Sequence, residues 1–344
     1  MHIENYAGRR EWIKMKKNIY IFSDGELKRK DNTVYLETET GKRYLPIEDI
    51  QEIYVLGNMT FNKSLLELLS QKEILVHYFN YYGYYMGTFY PREHLNSGYM
   101  ILKQAEHYLD ADKRIDIAQK LVYGAYRNIR QVVKYYSNRD KDLDNVIQDI
   151  DMLSLEIENA RDINSLMSIE GHVRETYYKS FDIIIQNEDF VFEERSRRPP
   201  QNELNTLISF GNSILYTQVL SEIYKTHLDP RIGYLHATNF RRFSLNLDVA
   251  EIFKPIIIDR LIFTLIDKKM ITKKDFSKNM GGITLNEKGK KVFVEQLDER
   301  LRTTIKHRGL GRNVSYKRLI RLELYKLEKH LMGEKEYEPF IARW

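Results

Sequence analysis

The strongest constraint on the fold is a change of hydrophobic period near Pro91. Before it, Asn18–Ser23 (NIYIFS), Thr33–Glu39 (TVYLETE) and Glu52–Leu56 (EIYVL) are short runs rich in β-branched and aromatic residues. Asp24-Gly25, Asp31-Asn32 and Gly41 supply turn signals between them. Asn62–Gln71 (NKSLLELLSQ) has helical spacing, with Asn62 placed to cap it. Ile74–Phe79 and Tyr84–Tyr90 return to the strand pattern around a turn at residues 80–83. The tyrosines between Tyr78 and Tyr90 could stack on bases, but in paired strands cross-strand packing is the commoner use. From about Asn96 the spacing is helical. Helices are expected over Ile115–Tyr136, Asp144–Ala160, Ile163–Ile185, Asn202–His227, Asp248–Lys268, Lys288–His307 and Ser315–Met332, with an extended piece at Ile283–Leu285.

The expected fold class is therefore α+β. A chain of 344 residues exceeds one simple core, so two domains are the default. The boundaries read as an extension over 1–17, a small β-rich domain over 18–90, a linker over 91–95 and a larger all-α domain over 96–344. The N-terminus, MHIENYAGRREWIKMKK, lacks the apolar core of a signal peptide. No apolar run is long enough to span a membrane. The absence of cysteine excludes disulfides, thiolate catalysis and cysteine-ligated zinc, and points to the cytoplasm. Net charge is only +5, but its distribution is uneven: Arg300–Leu322 carries eight Lys or Arg and no acid.

One stretch, Gly233–Pro255 (GYLHATNFRRFSLNLDVAEIFKP), concentrates reactive side chains. His236 precedes Asp248 and Glu251, which are one helical turn apart, and Arg241, Arg242 and Lys254 lie among them. A carboxylate pair in so apolar a run is costly unless paired or bound to metal. One imidazole with several oxygens suits Mg²⁺ or Mn²⁺ better than Zn²⁺. Glu170, beside the stripe Leu166, Ile169, Val173 and Tyr177, offers a further oxygen ligand. The alternative is that Asp248 and Glu251 serve a helix N-terminus. Arg195, Arg197 and Arg198 form a cluster stiffened by Pro199-Pro200, suited to phosphate or to a plain charged surface loop. Asn205 and Ser209, one turn apart, could bind a ligand or bridge helices. The run Arg300–Arg318, with Arg308 and Arg312 around two glycines, reads as an anion-binding loop or as an exposed basic helix end.

Four segments together resemble the CRISPR-associated adaptation integrase family, the metal-dependent DNA endonucleases that insert new spacers into a CRISPR array. They are Ile169–Gly171 (IEG), Arg197–Gly211 (RRPPQNELNTLISFG), Gly233–His236 (GYLH) and Ser244–Pro255 (SLNLDVAEIFKP), and the resemblance covers roughly residues 18–330. It implies Glu170, His236 and Glu251 as ligands of Mg²⁺ or Mn²⁺, and Asp248 as an acid beside the metal that supports activity. It places Arg197, Arg198 and Asn205 near the active-site groove. Arg195, Arg241, Arg242, Lys254, Arg308 and Arg312 are further candidates for contacts with DNA. Lys254 stands where arginine is common, and Asn212 where an aromatic is frequent. The implied reaction is attack of a 3′ hydroxyl on a phosphodiester. The implied partners are DNA, a second copy through the β-rich domain, and a small companion protein of ferredoxin-like fold. A non-catalytic nucleic-acid-binding scaffold and a general metal-dependent repair nuclease are the competing readings.

Overall fold

The computed structural model describes residues 16–92, 95, 97–236, 243–279 and 281–343, the side chains of Asn279 and Arg308 excepted. Residues up to Tyr81 with Met86–Arg92 form one compact unit; Tyr82–Tyr85 and the chain beyond Arg92 form the other.

The first unit contains β1 (Lys17–Ile21), β2 (Gly25–Lys30), β3 (Thr33–Thr38), β4 (Gly41–Pro46), β5 (Ile50–Val55), β6 (Met59–Phe61), α1 (Lys63–Gln71), β7 (Val76–Phe79) and all but the first residue of β8 (Tyr85–Phe89). One four-stranded sheet has the order β4-β3-β2-β6, an antiparallel meander with β6 parallel to β2. The other has the order β1-β5-β7-β8, with β1, β5 and β7 parallel. Leu27, Val34, Ile53, Leu65 and Val76 are buried in one apolar cluster. Asn62 caps α1 by accepting the Leu65 N–H at 3.0 Å. Tyr78 sits edge-on to Phe61 and Tyr54 stacks on Tyr20, so these rings pack across strands.

Strands β2, β4 and β6 were not expected. GELKRK and GKRYLP each bury one large apolar side chain, Leu27 and Leu45, and leave charged residues on the wet face. An antiparallel sheet with one solvated face permits this, and pairing rather than local propensity makes the strand.

The second unit is mainly helical: α2 (Gly98–Leu109), α3 (Ala111–Ser137), α4 (Asp144–Ser154), α5 (Ile163–Ile185), α6 (Glu203–Ile223), α7 (Leu245–Lys254), α8 (Arg260–Asp267), α9 (Glu287–Arg302) and α10 (Tyr316–Leu331). Two hairpins interrupt them, β9 (Phe276–Asn279) with β10 (Gly282–Leu285) and β11 (Thr304–His307) with β12 (Arg312–Ser315). Helix α6 is buried on nearly every side, as a central core helix must be. Among the described residues, no helix is long and apolar enough to cross a membrane.

Several helix ends differ from expectation: α3 starts at Ala111 rather than Ile115, and α6 stops at Ile223 rather than His227. The helix expected over Asp144–Ala160 stops at Ser154. The one expected over Lys288–His307 stops at Arg302, where Thr303, Thr304 and Ile305 favour extended backbone. The basic run around Arg308 and Arg312 is thus a β-hairpin, not a helix end. The helix expected over Asp248–Lys268 starts earlier, at Leu245, and is broken by a π-helical turn at Pro255–Asp259. Proline has no N–H for the carbonyl one turn back, so the ladder shifts there. The Ile252 carbonyl accepts from Asn128 Nδ2 at 2.9 Å, and the Ile256 carbonyl from Arg300 Nη2 at 2.7 Å.

The C-terminal tail supports the same place. Asn128 Nδ2 also donates to the Phe340 carbonyl at 3.0 Å, and its Oδ1 accepts from Ala342 N at 2.8 Å. Buried Glu323 accepts from the Tyr337 hydroxyl at 2.6 Å and from Phe340 N at 3.0 Å. Phe340 stacks on Phe253 of α7 at 5.9 Å between centroids. A Cβ on Gly124 would come within 2.6 Å of Pro339, so α3 needs a glycine where the tail crosses. The helix that carries Glu251 is therefore held by α3, α9 and the tail together.

Candidate active site

The N-terminus of α7 has no side-chain cap. Its first N–H groups, from Ser244 and Leu245, donate to the Pro230 carbonyl at 3.0 and 3.1 Å. The Ser244 hydroxyl donates to the Arg231 carbonyl at 2.7 Å and accepts from Gly233 N at 2.9 Å. These bonds pull residues 230–236 across the start of the helix. The approach is close enough to demand glycine, since a Cβ on Gly233 would lie 2.8 Å from Asp248 Oδ2.

Asp248 is fully buried, and its carboxylate is saturated. Oδ2 accepts the Tyr234 and Leu235 N–H groups at 2.5 and 3.0 Å. Oδ1 accepts the His236 N–H at 2.9 Å and lies 2.8 Å from the same residue's Nδ1. A carboxylate only accepts, so Nδ1 carries the proton and Nε2 keeps its lone pair when the ring is neutral. Burial lowers the imidazole pKa, but Asp248 and then Glu251 outweigh it and leave it above its ordinary value. Asp248 also lies in the first turn of α7, where the helix dipole favours a negative charge, so the terminus reading holds beside its bonds to the loop.

Glu251, one turn on, is only 5% exposed and meets a different environment. Arg174 Nη2 donates to its Oε2 at 2.5 Å, and Lys254 donates to its Oε1. Burial favours the neutral acid, yet Lys254 and Arg174 hold the carboxyl down at about 2. Lys254 is itself buried, with its ammonium 4.8 Å from the centre of the Tyr216 ring on α6. Glu170 lies on α5, four residues before Arg174, and accepts from Arg174 Nε at 3.2 Å. One guanidinium thus spans the carboxylates of α5 and α7. Glu170 and His236 are partly exposed, at 22% and 27% of their side chains.

Among the described residues, no three His, Asp or Glu side chains are gathered so as to hold a metal ion. The donor chemistry nevertheless fits a hard divalent cation. Glu251 is kept ionised by Lys254 and Arg174, Glu170 shares Arg174, and His236 bonds Asp248 through Nδ1 rather than Nε2.

The remaining candidates divide. Arg195 donates to Asn205 Oδ1 at 2.8 Å and to the Ser209 hydroxyl at 3.0 Å, and Asn205 Nδ2 donates to the Glu194 carbonyl at 2.7 Å. These residues fasten the arginine-proline loop to α6. Arg197 and Arg198 are exposed, with the Arg198 guanidinium 6.0 Å from the Tyr84 ring centre. Arg312 is exposed on the β11–β12 hairpin, and the backbone of Arg308 lies in its connecting turn. Arg241 and Arg242 lie outside the described residues. Sequence reasoning missed Arg174, although its spacing from Glu170 was the available signal. It also missed Asn128 and Tyr216, whose places beside the helix of Glu251 come from tertiary contact.

Comparison with known proteins defines the class. The sequence model described as CRISPR associated protein Cas1 matches residues 19–299. The CRISPR-associated endonuclease Cas1 2 of Thermodesulfovibrio yellowstonii is 60% identical over 330 residues, covering 96% of this chain and 100% of that protein. The CRISPR-associated endonuclease Cas1 of Thermotoga maritima is 51% identical over 321 residues, covering 93% and 98%. The solved structure of a Cas1 protein from Thermotoga maritima superposes with a TM-score of 0.86 at 49% identity, covering 94% of this chain and 99% of that one. The chain belongs to the Cas1 family of CRISPR-associated proteins.

Proposed function

We propose that this protein is a metal-dependent DNA endonuclease and integrase that inserts short duplex DNA into a CRISPR array. The reading rests on one observation above the others: buried Asp248 clamps His236 by ring and backbone and leaves Nε2 available near Glu251, while Arg174 ties Glu251 to Glu170. The endonuclease names of relatives that match over nearly the whole chain support it.

In this reading Glu170, His236 and Glu251 hold Mg²⁺ or Mn²⁺. Such a cation would polarise the scissile phosphate and offset charge that develops in the transition state. The nucleophile is water in nicking and a 3′ hydroxyl in insertion, where one phosphodiester oxygen bond forms as another breaks. Asp248 fixes the tautomer and direction of His236. Arg197, Arg198, Arg312 and the hairpin around Arg308 contact the DNA backbone, with Arg241 and Arg242 as further candidates. Arg195 and Asn205 act by holding the loop that presents Arg197 and Arg198. Lys254 keeps Glu251 ionised. The β-rich unit joins two copies, and a small companion protein of ferredoxin-like fold completes the assembly.

The test is an integration assay with a supercoiled plasmid bearing a leader and repeat, short duplex DNA, and either Mn²⁺ or a chelator, with and without the companion protein. Strand transfer with Mn²⁺ and none with chelator is expected. Equal transfer under both conditions would remove the metal from the reaction.

A further inference from the structure

Arg174 is 9% exposed and has three nitrogens to satisfy. Nε and Nη2 bond Glu170 and Glu251, while Nη1 is buried with no hydrogen-bond partner among the described residues. The same is true of Asp259 Oδ2, at the end of the π-helical turn, where the side chain is 1% exposed. The Tyr177 hydroxyl, three residues after Arg174 on α5, is buried beside Asp259 and close enough to help hold its carboxyl down. Folded chains carry few such atoms, and each costs about 1–3 kcal/mol. Burial raises the Asp259 carboxyl to about 6, and the Arg174 charge is the leading influence against that rise. A buried cation and a buried anion thus act on each other while each leaves one bonding position unused.

We propose that Arg174 is an exchangeable counter-ion, which neutralises Glu170 and Glu251 before a metal arrives and passes to Asp259 when a divalent cation takes those oxygens. The proposal rests on the reading of Glu170, His236 and Glu251 as ligands. A buried carboxylate and a half-buried one bonded to the same guanidinium need a positive charge between them, or they repel and one protonates. A divalent ion supplies that charge and repels the guanidinium. Asp259, which is not a proposed ligand, gives the displaced guanidinium an anionic partner and keeps it from standing uncompensated in the core. Its place directly after α7 lets the same framework hold both ends of the exchange. Arg174 and Asp259 are positioning residues in this account.

The experiment is a titration of Mn²⁺ into the full chain by calorimetry or electron paramagnetic resonance, paired with thermal unfolding in chelator. Asp259→Asn is expected to weaken Mn²⁺ binding by about tenfold, the scale of an outer-shell partner. Its unfolding temperature in chelator is expected to equal or exceed that of wild type, because a buried charge is gone. Arg174→Gln is expected to do the reverse, with tighter Mn²⁺ binding and a lower unfolding temperature in chelator. If Arg174 merely rivets α5 to α7, Asp259→Asn will bind Mn²⁺ as wild type does, and that result overturns the exchange even if Arg174→Gln does not fold. His236→Ala is the control for the site itself. Wild-type affinity in that variant would instead overturn the ligand assignment, and the exchange with it.

Discussion

Asp248 and Glu251 sit one turn apart on the same buried helix, yet they are satisfied in opposite ways. Asp248 is surrounded by hydrogen-bond donors belonging to one loop, three of them backbone N–H groups. Those donors cannot leave without unmaking the loop. Glu251 is surrounded by side-chain cations, Arg174 and Lys254, which can be displaced while the backbone stays still. The difference teaches how one helix can carry a fixed carboxylate and an ion-paired one side by side. In the proposed reading the first supplies geometry and the second supplies charge that an incoming ion would take over.

The largest expected effect comes from destroying the fixed half. Asp248→Ala strands three buried N–H groups and releases His236, and should cost about 3–5 kcal/mol in chemical denaturation. In chelator that loss comes from the loop alone, and with Mn²⁺ it should be larger, because the proposed ligand His236 is no longer held in place. Glu251→Gln attacks the exchangeable half. Wild type at a hundredfold excess of Mn²⁺ over Kd should gain about 2.7 kcal/mol of stability, and the variant should gain none. Wild-type stability of the first variant in chelator, or a full metal gain in the second, would break the contrast. Asn128→Ala probes the shared support. It frees the carbonyls of Ile252 and Phe340 and should cost about 1–3 kcal/mol with Mn²⁺ affinity nearly unchanged.

The smallest effect is electrostatic and lies away from the site. Glu222 on α6 is buried, bonded by Lys225 at 3.0 Å and by Arg321 of α10 at 2.6 Å. Burial opposes its charge, but Lys225, Lys317 and Arg321 hold its pKa below the usual value. A carboxyl depressed by folding adds stability above its unfolded pKa of about 4.3, and that stability is lost as pH falls through the lower folded value. Glu222→Gln should therefore flatten the acid limb of a stability profile below about pH 4.3. An unchanged limb would mean that this pair, unlike those at Glu251, contributes nothing measurable.

Much of this was readable from local pattern. The Asn62 cap, the limits of α5 and the change of architecture near Pro91 follow from spacing and capping. So does the grouping of His236 with Asp248, because both fall in one short stretch. Residues whose state is decided by distant partners were not readable. Strands β2 and β4 look like charged turns until β3 pairs with them. The π-helical turn was signalled by Pro255, but its consequence depends on Asn128 and Arg300 reaching two carbonyls. Arg195 and Asn205 looked like ligand-facing groups, and the structure has them bonded to each other. Of the two buried cations on Glu251, Lys254 lies in the same stretch, while Arg174 was hidden because it comes from another helix.

The most direct test of the central claim is strand transfer in Mn²⁺ by Glu170→Ala, His236→Ala and Glu251→Gln, each checked for folding by circular dichroism. Loss of metal assistance is worth several kcal/mol, so each variant should fall by about a thousandfold or more while remaining folded. Full strand transfer by any one of these folded variants would contradict the account.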